Sequence, residues 1–196
     1  MTAVHEVLPY PHLRAREENT ARLGMYVFLG SWAMLFGGLF FAYGSLRVAA
    51  AAWPPAGTPR LPIGLPLAST GLLALSSVAL HLALGRIEEG AGGLRPILLS
   101  LSSGVAFLLV QSTLWVLVWQ SGLVPSAGQY ASVFWELTAF HGLHVLVGIF
   151  ALAVLAVRAA RGRYGPARHL AVRLWAMYWD FVGVVWLLIF LSVFAV

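Results

Sequence analysis

The chain has 196 residues, 60% of them hydrophobic and only 10% charged, with a formal net charge of +5 and no cysteine. A soluble domain carries about 25% charged residues, so this composition describes one compact domain embedded in a membrane. Without cysteine, disulfides, zinc thiolates, iron–sulfur clusters and thiol catalysis are excluded.

The first 22 residues hold His5, Glu6, Arg14, Arg16, Glu17 and Glu18 among two prolines. They read as a polar, partly irregular N-terminal arm without the apolar core of a secretory signal. A spanning helix needs about 20 mostly apolar residues, and five stretches then qualify: 23–46, 62–85, 96–120, 130–157 and 170–196. Backbone amides in lipid must be satisfied within their own segment, so the spans are helices. The expected architecture is an all-α bundle of five transmembrane helices filling residues 23–196. The connections are short, with WPPAGTPR, IEEGAGG, GLVPSAG and RAARGRYGPARH at their centres, and none is long enough to house a second domain.

All twelve basic side chains are Arg. With five spans, ten of them (Arg14, Arg16, Arg22, Arg86, Arg95, Arg158, Arg161, Arg163, Arg168, Arg173) share one side and two (Arg47, Arg60) the other. The positive-inside rule then places the N-terminus in the cytoplasm and the C-terminus outside. Distributed over short loops, these charges are topology signals and not a nucleic-acid footprint. Small residues in the first span (Gly30, Ser31, Gly37, Gly38) and the second (Ser69, Gly71, Ser76, Ser77) are expected at helix contacts, since small side chains let backbones approach in lipid.

Ionisable groups inside apolar spans are costly and mark a partner or a function. The fourth span carries Glu136, His141 and His144, and the fifth carries Asp180. His141 and His144 are three apart and share a helix face. At about 1.5 Å per residue, His144 and Asp180 fall at similar depths near the midplane, so Asp180 is expected to meet His144 or His141 and to form one buried polar cluster with Glu136. Three roles stay open for that cluster: fixing helix packing, handling protons, or holding a metal or haem. The metal reading has little behind it, because zinc wants three or four ligands and the chain has no HExxH or cysteine partner. Nor does it contain a phosphate-binding loop, a dinucleotide fingerprint or a nucleophile elbow. A small non-catalytic membrane subunit is favoured on the residues alone.

The segment SVFWELTAFHGLHVLVG (132–148) resembles a stretch of subunit III of the haem–copper oxygen reductases. Further resemblances follow in the family's order: LGMYVFLGSWAMLFGGLFFAY (23–43), WPP (53–55), PLASTGLLALSS (66–77), QSTLW (111–115) and YWDFVGVVWLLIFLSV (178–193). Five spans match the short bacterial form. Where that family has Glu in its first and third helices, this chain has Trp32 and Leu114; where its last helix has His and Asp, this chain has Asp180 and Gly183. His141, His144, Trp53, Gln111, Tyr178, Trp179 and Trp186 stand at retained positions, the last five expected in helix packing. The resemblance implies an accessory subunit of the bacterial cytoplasmic membrane that packs on oxidase subunit I, with subunit II nearby. It implies phospholipid binding and support of proton uptake, with haem and copper held by the partners and no redox cofactor on this chain. Arg158, Arg163 and His169 fall near the family's lipid-headgroup contacts. Related subunits accompany nitric oxide reductases and quinol oxidases, which remain alternatives, as does a small transporter built on a midplane Asp/His site.

Overall fold

The computed structural model describes residues 11–59 and 61–194. Five helices run as α1 (Pro11–Ala49), α2 (Gly64–Glu88), α3 (Leu94–Gln120), α4 (Gln129–Ala160) and α5 (Leu170–Ile189), the last continuing into one π-helical turn, Phe190–Phe194. All five are long and apolar enough to cross a membrane. The chain is an all-α membrane protein of five spans, and the helix ends lie within a few residues of the expected ones except at the start of α1. There the helix begins at Pro11, inside the stretch read as partly irregular. Pro is compatible with a first helical position. Ala15, Arg16, Glu17, Glu18, Ala21 and Arg22 are good helix formers, with Glu18 and Arg22 paired one turn apart at 3.6 Å. Residues 1–10 of the N-terminal arm lie outside the described residues.

Short turns set neighbouring helices antiparallel. Gly90 (φ 78°) and Gly92 (φ 71°) supply the left-handed backbone between α2 and α3. α2 packs on α3, α3 on α4, α4 on α5 and α5 back on α2, closing a four-helix ring, while α1 leans on α4 and α5. At one end Arg173 of α5 pairs with Glu88 of α2, and His169 lies 3.6 Å from the same carboxylate. At the opposite end Tyr43 of α1 donates to the Ser192 carbonyl at 2.5 Å and Trp53 Nε1 donates to the Tyr43 hydroxyl at 3.2 Å. The Trp53 ring also packs edge-on against Tyr130. The loop after α1 is thereby held against the start of α4 and, through Tyr43, the last turn after α5.

The core is a set of large rings fitted against small residues. Trp179, fully buried on α5, lies between Gly104 of α3 and Gly148 of α4; a Cβ added at Gly148 would sit 2.2 Å from its ring, and one at Gly104 3.0 Å. Gly142 likewise receives Trp115. These are the close approaches that small residues permit in lipid. The first-span candidates for that role are elsewhere: Gly30, Gly37 and Gly38 have nothing within 4 Å of an added Cβ, and Ser31 is exposed. In α2, Ser69 and Ser76 are buried as expected, but Gly71 is exposed. The expectation therefore holds for Ser69 and Ser76 but not for the first-span residues or Gly71, because composition does not give the face each occupies.

Candidate functional site

Two polar groups are built into the helix bundle, and they differ from the single cluster expected. The first is internal. Trp179 Nε1 donates to Ser76 Oγ at 2.9 Å, and Ser76 in turn donates to the Ser100 carbonyl at 2.7 Å. This chain ties α5 to α2 and α3 in the dry interior. Two turns further along α5, Trp186 Nε1 donates to Thr70 Oγ1 at 3.0 Å, and Tyr178, the residue before Trp179, donates to the His144 carbonyl at 3.0 Å. Each ring buries its body and ends its polar tip on a helix neighbour, which is how Trp and Tyr are accommodated away from water.

His141 and His144 are both buried on α4 but face different neighbours. His141 stacks on Trp186, ring centroids 5.3 Å apart, and meets the edge of Phe107. Neither of its ring nitrogens has a hydrogen-bond partner among the described residues, nor do the amide atoms of buried Gln111. His144 lies under α1, its ring 4.2 Å from Trp32 and 5.1 Å from Phe36. Its Nδ1–H donates to the Phe140 carbonyl at 2.6 Å, and its Nε2 has no hydrogen-bond partner among the described residues.

Asp180 meets neither histidine. Its carboxylate accepts from Ser77 Oγ at 2.5 Å and from His81 Nε2 at 2.8 Å, both on α2. The correction follows from helical phase. On α5 the buried stripe is Tyr178, Trp179, Val182, Val185, Trp186 and Ile189. Asp180 is turned about 100° beyond Trp179 and half a turn from Val182, so it points past the core toward α2. Matching depth, the basis of the sequence expectation, fixes height along the bilayer but not direction around the helix. Asp180 and His81 form the second polar group, and it lies at the surface, with side chains 41% and 52% exposed.

Glu136 does not join either group. It is exposed on α4 and only seven residues from the start of that helix, about 10 Å along its axis, where a carboxylate reaches the interface. At the charged end Arg158 and Arg163 are exposed. His169 is occupied instead: its Nδ1–H donates to the Pro166 carbonyl at 2.7 Å and its Nε2 faces Glu88. The partner that sequence reasoning missed is His81. The available signal was the pair Ser77/His81, one turn apart on α2 and near the depth of Asp180.

Among the described residues no three His, Asp or Glu side chains come together as a metal-binding group. Buried Trp179, Ser76, Trp186 and Tyr178 spend their polar atoms on bonds between helices, while His141, Gln111 and His144 Nε2 have no partner among the described residues. A family profile described as Cytochrome c oxidase subunit III matches residues 12–196. The chain is similar to the cytochrome c oxidase subunit 3 of Phoca vitulina, 33% identical over 181 residues, covering 88% of this chain and 68% of that protein. The subunits of Equus caballus (33% over 181 residues, 88% and 68%) and Litocranius walleri (32% over 191 residues, 93% and 72%) give similar matches. The chain belongs to the cytochrome c oxidase subunit III family, and is an accessory subunit of a haem–copper oxidase.

Proposed function

We propose that this subunit packs on the catalytic subunit I of a bacterial respiratory oxidase, next to subunit II, and stabilises that complex without carrying electrons. The observation behind this reading is the use made of its buried polar groups. Trp179, Ser76, Trp186, Thr70 and Tyr178 are consumed in helix-to-helix bonds, while His141 and His144 face aromatic rings and not each other's ligands. Haem and copper belong in the partner subunits. The end that carries Arg86, Arg158, Arg161 and Arg163, all exposed, is the cytoplasmic one by the positive-inside rule. Arg158 and Arg163 there meet anionic phospholipid headgroups. His169, bonded within the protein, orients the loop instead.

Support of proton uptake would have to work here without two of the family's carboxylates. The two positions where the resemblance sets Glu hold Trp32, set edge-on against His144, and Leu114, fully buried in the core. Stabilisation of the complex and lipid binding do not depend on those carboxylates. The Asp/His pair on which the transporter alternative rests forms between Asp180 and His81 at the surface of the bundle, and not between Asp180 and His144.

The test is a membrane preparation from cells lacking this chain, compared with cells complemented by it. The haem spectrum of the catalytic subunit is expected to survive the deletion, while oxygen consumption decays faster during purification in detergent. Loss of the haem signal with normal catalytic-subunit protein would mean that the chain contributes directly to a redox centre.

A further inference from the structure

Ser77, His81 and Asp180 make a polar site on the outer surface of the bundle at the α2/α5 seam. Asp180 is ten residues into α5 and Ser77 eleven residues before the end of α2, about 15 Å from the charged end in each case, so the site lies deep in the hydrocarbon. Ionisable side chains at that depth nearly always face a bundle interior or a water-filled cavity. These two are about half exposed. Resting on the accessory reading above, we infer that the α2/α5 seam is the face that docks a transmembrane helix of the catalytic subunit, and that the docked helix presents a hydrogen-bond donor to Asp180.

Charge and hydrogen-bond capacity select that occupant. The Asp180 carboxylate has about four acceptor positions, of which Ser77 and His81 fill two. The carboxylate positions left open accept hydrogen bonds, so a Ser, Thr, Tyr, Trp, Lys or Arg side chain completes the site. The surface beside it is shaped for a helix: a groove of about 270 Å³ opens between α2 and α5, with Ala74 and Gly183 on its walls and Thr70 and Asp180 among its polar lining. Small wall residues let a neighbouring backbone come close. Lipid chains offer no donor. A second copy docked symmetrically would bring like groups together, setting one Asp180 carboxylate against another.

The absence of native cysteine makes the test clean. Ala74→Cys and Val184→Cys on the seam, and Leu109→Cys and Phe150→Cys on exposed faces of α3 and α4, are each loaded with a photoactivated crosslinker in native membranes. Adducts are identified by mass. Capture of the catalytic subunit from Ala74 and Val184, and not from the other two, is the expected result. Capture of it only from Leu109 or Phe150 overturns the seam while leaving the accessory reading intact. Dimers of this chain from the seam overturn the partner. Absence of the catalytic subunit from all four positions defeats both readings together. In parallel, Asp180→Leu is expected to lower the catalytic subunit co-purified per chain by about tenfold, the worth of one or two interhelical hydrogen bonds. Asp180→Asn, which keeps an acceptor, should retain most of it. Equal recovery with all three side chains would overturn the donor requirement.

Discussion

Gly148 is the tightest point of the bundle, and Gly148→Ala measures how rigidly the Trp179 ring is held. The added Cβ would lie 2.2 and 2.5 Å from two carbons of that ring and 3.4 Å from Tyr178. Carbon atoms reach optimal contact at about 3.5–4.0 Å, so the indole must retreat by more than about 1 Å. It has no free direction, because Gly104 of α3 already sits against its other edge. Any retreat also stretches the 2.9 Å bond from Trp179 Nε1 to Ser76. Overpacking of this kind costs about 1–3 kcal/mol, and loss of the interhelical bond adds about 0.6 kcal/mol. Thermal unfolding in mild detergent should therefore shift down by several degrees, at about 2–4 °C per kcal/mol for a chain of this size. Gly104→Ala, with its nearest ring atom at 3.0 Å, should cost less, and Gly37→Ala, with open space around it, about nothing. A Gly148→Ala protein as stable as the parent, or no difference between Gly148→Ala and Gly37→Ala, would refute the packing argument.

Gln111→Leu removes two buried amide atoms that have no partner among the described residues; replacing unsatisfied polar groups by an apolar side chain is nearly neutral or stabilising, so the melting temperature should hold or rise, and a fall equivalent to more than about 1 kcal/mol would mean the amide is bonded. Restoring the family's carboxylates should separate two sites: Leu114→Glu, at a fully buried position, is expected to cost about 3 kcal/mol or more, the order of placing a charge at mid-membrane. Trp32→Glu should cost less, because a carboxyl group there can hydrogen-bond the unpartnered Nε2 of His144; equal losses in thermal unfolding would dismiss that pairing. Arg173→Ala breaks the partly exposed pair with Glu88, and should lower stability by less than about 1 kcal/mol, less still in high salt; a large salt-independent loss would contradict a surface pair.

The helices and their order were legible because lipid imposes one strong rule, long apolar runs with satisfied backbones. The charged end of the bundle was legible from Arg placement, as the meeting of Glu88, His169 and Arg173 at one end agrees with the loops expected to share a side. Direction around each helix was not legible. In a soluble helix the polar face marks the outside, but in lipid Leu, Val and Phe serve both faces: Leu137 is buried and Phe150 is 72% exposed on the same helix. That ambiguity misplaced Asp180 and hid His81. It also singled out Gly37, which has nothing near it, and passed over Gly148, which touches a ring. The start of α1 was misread for a simpler reason, since Pro11 ends one kind of helix pattern and begins another.

The accessory role is tested most directly by purifying the tagged chain in mild detergent from its native membrane, with visible spectra and mass spectrometry of what accompanies it. Recovery with a haem-bearing, multi-span catalytic subunit is the predicted result. Recovery of the chain alone and colourless, from membranes that retain an active oxidase, would contradict it.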